Sequence, residues 1–217
     1  MEGPRVEVKL PPEYKHFYTW EMTQQPEAIS KAMNYGARLM SNKAMVRLGG
    51  LEANADNLME VENVIMAACG TSHYATKYAE VIMNNLGCFQ YVDCKIASEI
   101  TYEDLQFKYP HQAMMISVSQ SGETMDLLIP FRKAKEKGLQ RLNVVNKVFS
   151  TLARENNCGV FLNCGPEFSV ASTKAYTTQV VVLTLVALWF SQRKSYNQTK
   201  RKRIAYINEL KNLSKNF

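Results

Sequence analysis

Among 217 residues there are five cysteines, and none stands in a Cys-x-x-Cys pair or beside a histidine at metal-ligand spacing. Neither a disulfide framework nor a structural metal site follows from such a pattern, and the odd count of Cys69, Cys88, Cys94, Cys158 and Cys164 predicts reduced, buried thiols instead. The first ten residues, MEGPRVEVKL, are polar and carry no apolar core of a signal peptide. The longest apolar run, Val180 to Phe190, falls short of the roughly 20 residues that cross a bilayer and reads as a core helix. There is no internal repeat and no low-complexity tract. The formal charge of +6 comes without a nucleic-acid recognition motif, and its excess gathers between Arg193 and Lys215, where a solvated helix accounts for it. These absences predict a soluble cytoplasmic protein with no nucleic-acid or membrane partner and no cofactor. The positive balance favours acidic, phosphorylated ligands.

The length suits one sizeable α/β domain with an appendage. Met1 to Pro12, with three prolines, reads as an extended arm. The aromatic stretch Tyr14 to Glu21 leads to Pro26, which is well placed in a first helical turn, and Gly36 is a candidate stop. A short helix from about Gly50 to Met59 follows. Strand patterns then fall at Asn63 to Ala68, Tyr91 to Lys95, Ala113 to Ser117, Arg141 to Val145 and Val160 to Leu162. Helices are expected between them at about 72–86, 97–107, 122–137 and 149–156, and a long one closes the series at about 170–192. This alternation predicts an α/β fold, a doubly wound five-stranded parallel sheet flanked by helices. The expected division is an arm over 1–25, the sheet domain over 26–192 and a basic amphipathic helix over 193–217. Ile204, Ile207, Leu210 and Leu213 give that last helix an apolar face that needs a partner surface, in its own domain or in another chain.

Two turns carry the chemistry. Cys69-Gly70-Thr71-Ser72 follows the first buried strand, and Ser119-Gln120-Ser121-Gly122-Glu123-Thr124 follows the third. A strand-to-helix turn offers unpaired backbone N–H groups at the positive helix end, and the hydroxyls of Ser72, Ser119, Ser121 and Thr124 can donate to the same anion. Taken singly, each Ser or Thr is an ordinary helix cap. Two such turns in successive strand–helix units point to a phosphate cradle at the carboxyl ends of the strands.

With these residues in place the chain resembles the first sugar-isomerase (SIS) domain of the glutamine:fructose-6-phosphate amidotransferases, of the eukaryotic type. The resemblance covers about Tyr14 to Gln192. It rests on Tyr14-Lys15-His16-Phe17 with Glu21 and Gln25-Pro26, on Leu48-Gly49-Gly50-Leu51, on the two turns, and on Cys164-Gly165-Pro166-Glu167 running into Val170-Ala171-Ser172-Thr173-Lys174-Ala175-Tyr176. It implies that Gly70, Thr71, Ser72, Ser119, Gln120, Ser121 and Thr124 bind the phosphate of fructose 6-phosphate or glucosamine 6-phosphate. It also implies that Val170, Ala171 and Ser172 contact the sugar backbone; the same residues also suit the start of the last helix, capped by Ser172 or Thr173. In that family a glutaminase domain and a second SIS domain with a C-terminal tail complete the enzyme. No counterpart to them is read in this chain, so no catalytic residue is assigned. Glu167 and Lys174 suit a salt bridge or a helix start better than acid–base work, and His73 reads as a wall residue. Eukaryotic members also bind a nucleotide sugar on this domain; Phe161, where the family pattern has His, implies weak or absent binding here. Three readings of function remain: one half of an amidotransferase isomerase unit, a stand-alone non-catalytic or regulatory hexose-phosphate binder, and a single-SIS isomerase that builds its site across a homodimer. A homodimer, or pairing with a second SIS domain, is expected in each case.

Overall fold

In the computed structural model, which describes residues 8–40 and 43–217, the aromatic segment forms helix α1 (Phe17–Thr23), and Pro26 opens α2 (Gln25–Ala32). The first seven residues of the expected arm lie outside the described residues. Strands β1 (Leu39–Met40) and β2 (Met45–Val46) pair antiparallel, a hairpin that the sequence pattern does not announce. The expected helix over 50–59 is two pieces, α3 (Gly49–Glu52) and α4 (Ala55–Met59). Asn54 divides them, since its side-chain amide donates to Gly50 O at 2.8 Å and diverts that carbonyl from the helical ladder.

From there the chain alternates β3 (Asn63–Ala68), α5 (Thr71–Leu86), β4 (Tyr91–Ile96), β5 (Ala113–Ser119), α6 (Met125–Glu136), β6 (Gln140–Val145), α7 (Thr151–Arg154), β7 (Gly159–Phe161), α8 (Lys174–Lys194) and α9 (Tyr196–Asn216). The five strands β3 to β7 form one parallel sheet in the order β4-β3-β5-β6-β7, as the alternation predicts. One expected helix is absent. Residues 97–107 hold only two 3-10 turns, Ala97–Glu99 and Glu103–Leu105. Between them the Asp104 carboxylate accepts from Thr101 N at 2.9 Å and Thr101 Oγ1 at 3.1 Å, and this local bonding competes with helical pairing.

Alternation along the strands sorts the core into two layers. Val64, Met66 and Ala68 point to one face with Met114, Ile116 and Val118, where α2, α5, α8 and α9 pack. Ile65, Ala67 and Met115 point to the other, against Leu127, Leu128, Phe131 and Ala134 of α6 and Leu152 of α7. Helix α8 is apolar around its whole circumference, and Val181 to Gln192 is buried without interruption. It is long and apolar enough by length and composition to cross a membrane, yet 83% of its most apolar window is covered by this fold. Helix α9 lays Ile207 and Leu210 on the same core, so its apolar face meets a surface of its own domain. Arg203, fully buried, ties it down by donating to Ala44 O at 3.1 Å and Tyr196 O at 2.8 Å.

Candidate functional site

Strands β3 and β5 are neighbours in register, with Ala68 opposite Val118, and they leave the sheet in helices on opposite faces. Their carboxyl ends therefore form the topological switch point of the sheet, where a crevice opens between the two following turns. The register sets Cys69-Gly70 beside Ser119, so the two turns singled out in the sequence meet at one edge.

In the first turn Gly70 takes φ 58° and ψ −136°, a backbone open to glycine and strained for other residues, and α5 begins at Thr71. His73 N donates to Gly70 O at 3.1 Å, and the N–H groups of Thr71 and Ser72 precede the helical ladder. Thr71 is exposed and Ser72 is half-buried. Ser72 Oγ accepts a hydrogen bond from Nε2 of Gln179, a residue of α8 that is only 1% exposed, at 2.9 Å. With its lone pair so occupied, the hydroxyl proton of Ser72 is free to point into the crevice. Two buried polar atoms here have no partner among the described residues: Gln179 Oε1 and His73 Nδ1. Cys69, at the foot of the turn, has its thiol pushed up by burial and by the Asp126 carboxylate, which keeps it protonated.

The second turn is wound around Ser119. Its Oγ accepts from Gly122 N at 3.0 Å and lies 3.4 Å from Thr124 Oγ1. Ser121 Oγ accepts from Glu123 N at 3.2 Å, while Ser121, Thr124 and Gln120 are all half-buried at the crevice. Gly122 has φ 65°, and a Cβ there would stand 2.3 Å from Ser150 Oγ, so both conformation and space require glycine. Glu123 anchors the turn from outside by accepting from Thr151 N at 2.8 Å, and the Thr151 hydrogen bonds hold its carboxyl below the usual carboxylate range. Beside this turn, Gln120, Asn146, Lys147, Asn163, Glu167 and Phe168 line a cavity of about 630 Å³.

The third predicted segment differs from a helix start. The last helix begins at Lys174, so Val170, Ala171 and Ser172 lie in a loop, with Val170 fully exposed and Ala171 exposed. The cause is Glu167: its Oε1 accepts from Thr173 N at 2.9 Å and Ala175 N at 3.2 Å, and its Oε2 accepts from Ser172 Oγ at 3.2 Å. A carboxylate thus serves the orphan N–H groups of α8 and halts the helix there. Lys174 is buried and donates to Gln24 Oε1 rather than pairing with a carboxylate.

Sequence reasoning missed the supports behind these residues. Gln179 reaches Ser72 across 107 positions, and Glu21 of α1 reaches the backbone of Phe168 across 147 and of Ser169 across 148. Glu21 stands in the entry segment that carries the resemblance, and no local pattern marks its role. Among the described residues no group of three or more His, Cys, Asp or Glu side chains is arranged to hold a metal ion.

Known proteins share this fold. Residues 57–189 match the family model of the SIS domain. The chain is 34% identical over 194 residues to the glutamine–fructose-6-phosphate aminotransferase (isomerizing) of Chlorobaculum tepidum, and the match covers 87% of this chain and 30% of the relative. It is 36% identical over 205 residues to the enzyme of that name from Fusobacterium nucleatum, covering 94% of this chain and 32% of the relative. The chain thus spans about a third of the length of these curated relatives. Among solved structures, the C-terminal domain of glucosamine-fructose-6-phosphate aminotransferase from Francisella tularensis superposes with a TM-score of 0.82 at 31% identity, over 95% of this chain and 56% of that one. A parallel five-stranded sheet, a hydroxyl-lined switch point and a family match over 133 residues lead to one conclusion: the chain belongs to the SIS-domain family.

Proposed function

We propose that this SIS domain binds a hexose phosphate, fructose 6-phosphate or glucosamine 6-phosphate, and serves the isomerase half of a glucosamine-6-phosphate-forming amidotransferase. The observation that carries this reading is the convergence of two hydroxyl-rich turns at the switch point of β3 and β5. Gly70, Thr71 and Ser72 on one side and Ser119, Gln120, Ser121 and Thr124 on the other offer N–H and O–H donors to one phosphate. The loop of Val170, Ala171 and Ser172, exposed at its first two residues, meets the sugar. In the proposed division, residues 26–192 hold this site, 1–25 form the arm and 193–217 a supporting helix.

Isomerisation between C1 and C2 also requires a base within reach of the sugar carbons. The carboxylates of Glu21 and Glu167 both accept backbone N–H groups, and the Lys174 amine is engaged by Gln24, so these groups are already committed. The base is proposed to come from a second SIS domain, and the setting is cytoplasmic. If none pairs with it, the same commitment of nearby carboxylates favours a hexose-phosphate-binding module without chemistry of its own.

A second copy is the proposed pairing partner. Tyr74, Tyr78 and Val81 of α5 are exposed apolar residues, and Tyr78 borders a largely apolar cavity of about 400 Å³ with Tyr176, Val180, Tyr206 and Leu213. Calorimetric titration with both sugar phosphates tests the site. Ser121→Ala and Thr124→Ala should each lose about 1.5–3 kcal/mol of binding, the worth of a hydrogen bond to a charged group. Unchanged affinity in both variants would refute the assignment.

A further inference from the structure

The Glu21 carboxylate is fully buried, and no lysine or arginine lies within salt-bridge distance of it among the described residues. A buried charge of this kind is costly unless its oxygens are satisfied, and here one short loop satisfies them. Oε1 accepts from Phe168 N at 2.5 Å, and Ser169 N lies 3.3 Å from Oε2. Ser169 Oγ stands within reach of both Glu21 Oε2 and, at 2.8 Å, Ala171 O, so its single proton serves one of them at a time. Two neighbouring contacts run the same way. Gln24 Oε1 accepts from Lys174 Nζ, and Gln25 Oε1 accepts from Thr177 Oγ1 at 2.5 Å. The rings of Phe17 and Phe168 pack with centroids 5.2 Å apart at a tilt of 42°. All these contacts join the α1–α2 junction, outside the residues 57–189 matched by the family model, to the loop and first turn that carry Val170 to Ser172.

We propose that Glu21 is a positioning residue for the sugar: its carboxylate holds the 168–172 loop in the shape that presents the Val170, Ala171 and Ser172 backbone to the ligand. The loop is exposed at its apex and has no strand or helix of its own, so its conformation depends on the two carboxylates that grip it. Glu167 fixes the end next to α8, and Glu21 fixes the end next to Phe168. Removing one grip spreads the loop over several conformations. A ligand that needs one of them then binds more weakly in proportion to the population lost, whereas a ligand that touches only the phosphate turns does not notice. The ligand half of this inference rests on the phosphosugar reading above; the positioning half rests on the hydrogen bonds alone.

The test compares the unaltered protein with Glu21→Gln, whose amide nitrogen confronts the loop N–H groups with a donor. Hydrogen exchange should quicken by about ten-fold or more within 168–172 at Phe168 and Ser169, whose N–H groups donate to the carboxylate, while β3 and β5 keep their protection. The affinity for fructose 6-phosphate should fall about ten-fold, corresponding to a binding-ready loop in about a tenth of molecules, with affinity for inorganic phosphate unchanged. Unchanged exchange in the loop overturns the inference. So does an equal loss for both ligands, which marks a general effect on the fold, or a loosened loop with undiminished sugar affinity. If the unaltered protein binds neither ligand, the phosphosugar reading falls and takes the ligand half with it, and exchange at 168–172 decides the positioning half. Should Glu21→Gln fail to fold, Ser169→Ala removes one partner of the carboxylate on the loop itself and is held to the same outcomes.

Discussion

At the scale of single residues, a hydroxyl in this cradle is useful according to where its proton points. Ser72 accepts from a side-chain amide, which leaves its proton for the crevice, whereas the buried Ser119 accepts from Gly122 N and also meets Thr124 Oγ1 at 3.4 Å, a contact in which either hydroxyl can donate. Gln179→Met, which removes the donor behind Ser72 at similar volume, should weaken fructose 6-phosphate binding by about 1 kcal/mol. Combined with Ser72→Ala it should add nothing further, because both changes act through one hydroxyl. Full additivity in a calorimetric double-mutant cycle would disprove the link. The hydroxyls themselves are legible in the sequence, since a Ser or Thr at the mouth of a helix is a local signal. Gln179 and Glu21 are not, because each acts on a partner more than a hundred residues away and each sits in a pattern that an ordinary helix explains equally well.

At the scale of elements, the five strands match the sequence pattern to within two residues at either end; the central β3 and β5, buried on both faces, are written as near-continuous apolar runs, while the edge strand β4 alternates. Helix boundaries are less legible wherever a side chain intervenes, as Asp104 does at Thr101 and Glu167 does before α8. Close packing of elements is also invisible in sequence. A Cβ on Gly159 would lie 2.5 Å from Asn143 O, and one on Gly50 would lie 2.2 Å from Gly159 O, so α3 approaches β7 backbone to backbone. Gly159→Ala should therefore cost about 2 kcal/mol in urea unfolding. Gly49→Ala, with nothing within 4 Å of the added carbon, should be near neutral. The tie between the β5–α6 turn and α7 is charged and so depends on pH. Because the folded-state pKa of Glu123 is depressed, its contribution is complete above the ordinary carboxylate value of about 4.3 and is lost as pH falls through the lower folded value. Glu123→Gln should lower the melting temperature by about 1–2 °C at pH 7, and the difference should shrink as pH falls below the ordinary carboxylate range. A constant difference across that range would show that the hydrogen bond from Thr151 does not depend on the charge.

At the scale of the whole molecule, the exposed tyrosines of α5 and the apolar cavity between α5, α8 and α9 form one apolar face that stays uncovered after α9 has folded back. Self-association through this face should give a dimer mass in light scattering at tens of micromolar, and Tyr78→Glu should return it to a monomer. A monomer before substitution would rule the pairing out. Helix α8 has a consequence that belongs to synthesis rather than to the finished fold. Its principal partner, α5, and the strand face beneath it precede it in the chain, so at about 5–20 residues per second its seat is made several seconds earlier. An apolar segment of this length is a hazard while it waits, open to aggregation or to misdirection toward a bilayer. The order of elements shortens that wait, and α9, which follows α8, closes with its charged outer face over a helix already in place.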